Sequence, residues 1–329
     1  MELYTIRASQ ALATGKLNPG ATYVEAENDG RSQGDFPMGV LSVNRVLMWS
    51  VACAGCLVLG GIPAGAQEGT AALKAALHFH APFDESADAV KSAADRRVFS
   101  AESVARKQVQ PGIQDANVAI VAGEGKYGGA LRFSAKSKQV FFYSGEAMHY
   151  REKDWDGTVS FWMRLNPDKD LQPGYCDPIQ ITQRAWNNAS FFVDFDKDVP
   201  RDFRLGVFSD FAFWNPTNID WEKLPVEKRP MVTVKKPPFS RESWTHVAFT
   251  FEKVNGGDNV PATATLYLNG ESRGSVTGPM QFRWELSKSA IMIGIEYVGD
   301  LDDLAIFRRA LTPSELKQLY QLPRGVTGL

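Results

Sequence analysis

Beyond residue 77 the chain alternates apolar and polar positions with a period of two. Leu77, Phe79, Ala81 and Phe83 alternate with His78 and His80, and Val159, Phe161, Met163 and Leu165 alternate with Ser160, Trp162 and Arg164. The same rhythm runs through Ala264–Leu268 and Ile291–Ile295 and along Trp244–Phe251, where Val247, Phe249 and Phe251 share a face with Thr245. Further strands are predicted over 131–133, 139–143, 179–183, 191–196, 203–208 and 301–307. Asn269-Gly270 joins two of these runs and predicts a tight hairpin with 271–276 as the return strand. No strand–helix alternation interrupts the pattern, and no long repeat is present. The expected class is therefore all-β, a two-sheet antiparallel sandwich.

One helix is predicted. Thr312-Pro313-Ser314-Glu315 forms a capping box with proline at the first helical position, Leu311 and Leu316 are placed as a hydrophobic staple, and Pro323 ends the segment after about Tyr320. Its length suits packing across a sheet edge. The segment from Ser209 to Ser243 breaks the strand rhythm. It holds Pro216, Pro225, Pro230, Pro237 and Pro238 together with Trp214 and Trp221, which predicts a long loop that packs instead of staying disordered.

The N-terminal part reads differently. An apolar run from Val46 to Ile62 follows Arg45 and precedes Ala64-Gly65-Ala66. A basic start, an apolar stretch and a small-x-small site predict a secretory signal over 45–66, cleaved after Ala66. The run is Gly- and Ala-rich, and shorter than the roughly 20 strongly apolar residues of a membrane span. Residues 1–44 read as an unstructured or mis-assigned extension and 67–76 as a linker, leaving 77–329 as one domain. The expected destination is secreted, cell-surface or periplasmic.

Charge and cysteines narrow the picture. The 36 basic and 38 acidic residues nearly cancel, which removes the electrostatic case for nucleic-acid binding. Of the three cysteines, Cys53 and Cys56 fall in the expected signal. Cys176 then stands alone, so no internal disulfide holds the domain. No phosphate-binding glycine loop, Gly-x-Ser-x-Gly elbow or defensible Ser-His-Asp order is present.

Several segments together resemble a known family. Gly157-Thr158-Val159-Ser160-Phe161-Trp162-Met163, Trp244-Thr245-His246-Val247-Ala248, Thr265–Gly270 and, above all, Asp300–Leu316 are similar to laminin-G-like jelly-roll domains. These belong to the concanavalin A-like lectin and glucanase superfamily. Phe83-Asp84-Glu85 and Gly128–Phe133 match the opening of such domains. The resemblance implies two curved antiparallel sheets face to face. It implies no single activity, because the fold hosts lectins, adhesion modules and glycosidases.

Four constellations are candidates for chemistry. Asp194, Asp196 and Asp198 would share one face of a strand. Jelly-roll glucanases of the superfamily place their carboxylate pair in that way, although here every position is Asp; an outward polar face or a calcium loop are the other readings. Asp302 resembles the structural calcium ligand of related jelly rolls, and a buried aspartate accepting backbone N–H bonds is the alternative. The four histidines read as structural. Arg184, Trp186, Asn187, Trp214 and Trp221 combine rings with polar edges, as sugar faces require. The leading expectation is an exported, non-catalytic recognition or adhesion module that binds glycan or an extracellular protein. The alternatives are a glycoside hydrolase using Asp194, Asp196 or Asp198, and a structural accessory domain of a cell-surface assembly.

Overall fold

In a computed structural model the described residues are 64–329. The expected extension over 1–44 and the apolar run Val46–Ile62 lie outside them. In chain order the strands are β1 (Leu77–Ala81), β2 (Phe99–Ala101), β3 (Val109–Pro111), β4 (Val118–Val121), β5 (Ala130–Phe133), β6 (Val140–Ser144), β7 (Trp155–Arg164) and β8 (Cys176–Thr182). They continue as β9 (Ser190–Phe195), β10 (Phe203–Phe208), β11 (Met231–Val234), β12 (Thr245–Val254), β13 (Ala262–Leu268), β14 (Glu271–Gly278), β15 (Ala290–Ile295) and β16 (Gly299–Phe307). The helices are α1 (Ala64–Ala76), α2 (Pro167–Asp170), α3 (Phe211–Trp214) and α4 (Pro313–Tyr320).

The strands form two sheets. The first runs β14-β13-β12-β7-β16-β5-β4, with β1 also paired to β16; the second runs β11-β10-β9-β8-β15-β6-β2-β3. The neighbouring strands pair antiparallel, as the sequence predicts. The period-two alternation decides what faces inward. Val159, Phe161 and Met163 of β7 and Val247, Phe249 and Phe251 of β12 lie in one core with Phe191, Val193 and Phe195 of β9 and Ile291 and Ile293 of β15. Trp155 is a hub of this core, edge-on to Phe191, Phe251 and Trp284 at 4.6–5.6 Å. Such aromatic pairs add directional packing to area burial. The predicted hairpin is present: Asn269 and Gly270 have φ of 54° and 76°, and they link β13 to β14.

Two expectations change. Residues 67–76 are helical, not a linker, because Ala71-Ala72-Leu73-Lys74-Ala75-Ala76 is a run of strong helix formers whose Leu73 has an apolar patch to cover. The expected cut after Ala66 falls inside this helix. Helix α4 carries the predicted capping box, with the Thr312 side chain accepting from Glu315 N and the Glu315 side chain accepting from Thr312 N. It does not merely bridge a sheet edge. Leu316 and Leu319 join Leu73 and Ala76 over Ala248, Tyr267, Ala305 and Phe307, sealing the outer face of the first sheet.

Strands β2, β3, β4 and β11 were not anticipated. Each spans three or four residues and lacks a full alternation cycle. The 209–243 segment is ordered, as its tryptophans predict: α3, two short turns and β11 lie within it.

Candidate functional site

The outer face of the second sheet gathers the five aromatic-site candidates. Phe192 of β9 and Phe208 of β10 occupy outward positions, and their rings stack at 5.6 Å. Trp186, on the β8–β9 turn, meets Phe208 edge-on at 5.3 Å and Phe192 at 6.1 Å. From the 209–230 segment, Trp214 meets Phe208 at 5.0 Å and Trp221 meets Trp186 at 5.2 Å. The Trp214 Nε1 donates to Asn187 O at 2.9 Å, and Arg184 Nη1 donates to Asp210 Oδ1 at 3.2 Å. Arg229 lies over the Trp221 ring at 4.3 Å.

The result is an aromatic shelf. All three tryptophans are half-buried, so they anchor the 209–230 segment and still present ring surface to solvent. Phe192, Phe208 and Arg229 were missed in the sequence. The available signal was a bulky apolar residue at each outward position of an otherwise regular alternation.

The carboxylate trio does not assemble as expected. Strand β9 ends at Phe195; Asp196, just beyond it, stays beside Asp194 with its Oδ1 3.6 Å from Arg204 Nη1, while Asp198 leaves the shared face. Asp194 is fully enclosed and paired with Arg204, which is cross-strand to it. Arg204 Nε donates to Asp194 Oδ1 at 2.8 Å and Nη2 donates to Oδ2, and the guanidinium lies over the Tyr175 ring at 5.0 Å. Burial raises the Asp194 carboxyl above its ordinary range against the downward pull of the Arg204 fork. Asp196 Oδ1 accepts from Lys197 N at 2.7 Å, and Asp198 is exposed on the following turn. A retaining glycosidase needs two carboxyls about 5–5.5 Å apart across a sugar. Here both oxygens of Asp194 are already held.

The opposite outer face carries different chemistry. Asp302, on β16, is fully buried across from Trp162. Its Oδ2 accepts from Tyr127 N at 3.0 Å, while Oδ1 has no partner among the described residues. Burial above all, and then the charge of Asp303, pushes its pKa to about 8. The surrounding turns approach closely. A Cβ on Gly129 would stand 2.5 Å from Asp84 O and 2.6 Å from Phe83 O, and one on Gly125 would stand 2.9 Å from Asp302 Oδ2. An orphaned buried carboxylate oxygen is the one donor here that a cation of calcium type could use. Among the described residues no group of three or more His, Cys, Asp or Glu side chains is placed to hold a metal.

The adjacent Asp303 is already occupied. Its Oδ1 pairs with His80 Nε2 at 2.7 Å and its Oδ2 accepts from Val326 N at 2.9 Å. His246 bonds Ser160 Oγ through Nε2 at 2.9 Å beneath Trp162 and Tyr320, and burial lowers its pKa to about 3. His78 and His149 meet ring to ring at 4.8 Å. Cys176 is buried, and burial raises its thiol well above the ordinary value, which suits an inert core residue.

A sequence model described as the concanavalin A-like lectin/glucanases superfamily matches residues 149–317. No curated protein sequence matches the chain. Among solved structures, it is similar to domain 4 of an extracellular arabinanase from Geobacillus stearothermophilus, in complex with arabinotriose: 17% identity, 74% of this chain, 98% of that one, TM-score 0.47. It is also similar to the receptor binding domain of a botulinum neurotoxin C/D mosaic serotype: 12% identity, 75% of this chain, 51% of that one, TM-score 0.49. A third is the binding domain of botulinum neurotoxin DC in complex with rat synaptotagmin II: 12% identity, 75% of this chain, 52% of that one, TM-score 0.45. The chain thus spans about half the length of the toxin chains it matches. Among the described residues no helix is long and apolar enough to cross a membrane.

Proposed function

Because the chain belongs to the concanavalin A-like lectin/glucanases superfamily, we propose that it is a non-catalytic recognition module that binds carbohydrate on the aromatic shelf. The observation that carries this reading is the convergence of Trp186, Trp214 and Trp221, half-buried, onto Phe192 and Phe208. Apolar C–H faces of a sugar pack on exposed rings, while Arg184 and Asn187 stand beside them to meet hydroxyls. The Asp194–Arg204 pair favours binding over hydrolysis, since a buried carboxylate engaged by a bidentate guanidinium is closed off from a bulky sugar.

The test is retention on insoluble polysaccharides. Wild-type protein should be retained, and Trp186→Ala or Trp221→Ala should weaken retention at least tenfold, the scale of a central aromatic contact. Retention unaffected by both substitutions sinks the reading, and retention only by a protein ligand turns it toward adhesion. The hydrolase alternative predicts release of reducing sugar that Asp196→Asn removes.

Two companion proposals complete the reading. The 45–66 segment exports the protein to the cell surface, the periplasm or the medium; N-terminal sequencing of the exported form should begin at Gln67. Asp302, through its unpartnered Oδ1, holds a structural calcium ion. Calcium then stabilises by mass action, about 2.7 kcal/mol at a hundredfold excess over its dissociation constant. Chelation should lower the melting temperature of the wild type and leave Asp302→Asn unmoved. Identical melting curves with and without chelator refute the ion.

A further inference from the structure

A cavity of about 500 Å³ lies where α1 passes into β1, and Lys74, Leu77, His78, Lys91, Ser92 and Arg308 line it, among others. That volume lies within the range of small-ligand pockets, about 300–1,000 Å³. The lining comes from four stretches of chain: α1, β1, the segment that follows β1, and the residue after β16.

The charge of this cavity is one-sided. Among the described residues no acidic side chain lines it. Lys74, Lys91 and Arg308 form no ion pair among the described residues. Elsewhere in the domain arginines come with an acid: Arg132 and Arg164 with Asp300, Arg204 with Asp194, and Arg309 with Glu315. Three positive charges at one concavity without a carboxylate depart from that rule.

The charged heads also lie within reach of one another. Burial above all, and then the charges of His149, Arg308 and Lys91, hold the half-buried His78 imidazole below its ordinary value. His149, ring to ring with His78 at 4.8 Å, is lowered by burial first and then by Arg151 and Arg308. Arg308 is oriented without being neutralised. Its Nη2 donates to Ala75 O, and its backbone N donates to Ala76 O at 2.9 Å. A neutral carbonyl fixes the guanidinium and leaves its charge to be met by something else.

An anion entering here relieves the mutual repulsion of the cations and gains charge-assisted hydrogen bonds. Two lysines act as compact point charges, which suit a tetrahedral oxyanion, whereas a planar carboxylate is matched best by guanidinium forks. Three uncompensated positive charges favour a dianion over a monoanion. The cavity is larger than a bare phosphate needs, which leaves room for the group that carries it.

We propose that this cavity binds the phosphate group of a small phosphomonoester. The cavity shares no residue with the aromatic shelf, so the assignment is independent of carbohydrate recognition there.

The experiment is calorimetric titration of the intact protein with glucose 6-phosphate, glucose 6-sulfate and glucose at about pH 7.5, where a phosphomonoester is mostly a dianion. Glucose 6-phosphate should bind about tenfold more tightly than glucose 6-sulfate, which has the same shape and less charge, and glucose should not displace it. Lys91→Gln and Lys74→Gln should each weaken the phosphoester about tenfold, the scale of one charge-assisted hydrogen bond. Both side chains are exposed, so the melting temperature should not move. Arg308→Gln should weaken it further, and Arg308→Lys, which keeps the charge, should weaken it less. Lys138→Gln, at an exposed lysine outside the lining, should leave the affinity unchanged. Absence of glucose 6-phosphate binding, or equal binding of the sulfate, overturns the phosphate assignment. Affinity indifferent to Lys91→Gln and Lys74→Gln removes the cavity, as does an equal loss with Lys138→Gln, which reduces the effect to net surface charge. Trp186→Ala should leave phosphoester binding intact; if it abolishes binding, the ligand sits on the shelf and the cavity assignment fails. Failure of the wild type to be retained on polysaccharide, with phosphoester binding intact, condemns the shelf alone.

Discussion

The two outer faces of the sandwich carry similar residue types and put them to opposite use. On the first sheet, α1 and α4 close over an apolar patch that includes Ala248, Tyr267, Ala305 and Phe307, and Trp162, His246 and Asp302 are buried on the same sheet. On the second sheet, the 209–230 segment settles on Phe192 and Phe208 yet leaves its tryptophans and Arg184 partly open. Both faces hold tryptophans, charged side chains and hydrogen-bonding groups. What differs is the cover. A helix with an apolar stripe buries its partner face completely, whereas a proline-rich segment of short turns touches down through a few rings. Chemistry under the helices is confined to structure, and chemistry under the loop remains available to a ligand.

That contrast can be broken most forcefully at its seal. Leu316→Ala should destabilise by about 2–5 kcal/mol, because Leu316 is fully enclosed between the helices and the sheet. Equilibrium urea unfolding measures it, and polysaccharide retention should be unchanged in the folded fraction. A loss below 1 kcal/mol, or a loss of binding without a loss of stability, would erase the distinction between the faces.

A smaller effect tests whether the first face is dry. His246 has its folded-state pKa lowered to about 3 by burial first and Lys126 second. The unfolded chain takes up a proton below the ordinary value of 6.5 while the folded one does not. Stability from this residue is therefore complete above pH 6.5 and is lost as pH falls from 6.5 toward 3. Between pH 6.5 and pH 5 the loss should be about 2 kcal/mol, at roughly 1.4 kcal/mol per unit. His246→Gln should flatten this limb in chemical denaturation. An acid limb that survives the substitution assigns the effect elsewhere.

The least destabilising test belongs to the second face. Trp221→Ala should cost only about 1–2 kcal/mol, since part of the ring is already hydrated. Its larger consequence is the weakened polysaccharide retention. A thermal melt run beside the binding assay separates the two. If stability falls as far as with Leu316→Ala, the tryptophan is a core residue and not a shelf.

Some of this was legible from residue order alone. The inward positions of β7, β12, β13 and β15, the Asn269-Gly270 hairpin and the capping box at Thr312 follow from local rules, because each depends on neighbours a few residues away. The grouping of Arg184, Trp186 and Asn187 was legible too, although what they would pack on was not. Helix α1 was missed because a single strong apolar residue, Leu73, gives no visible stripe; its partner Leu316 lies far along the chain.

By itself the sequence determined the alternation and hence the class: two antiparallel layers whose inward residues can only be satisfied by each other. It also determined the absence of a disulfide within the domain and the turn chemistry that sets the hairpin. Tertiary structure alone decided which polar residues are spoken for. Arg204 captures Asp194 across a strand pair, Asp300 gathers Arg132 and Arg164 from two other strands, and Asp302 loses its solvent beneath distant turns. Those outcomes depend on contacts between residues tens to hundreds of positions apart, and the free energy of a charge depends on which partner and how much water surrounds it, quantities that no local pattern encodes.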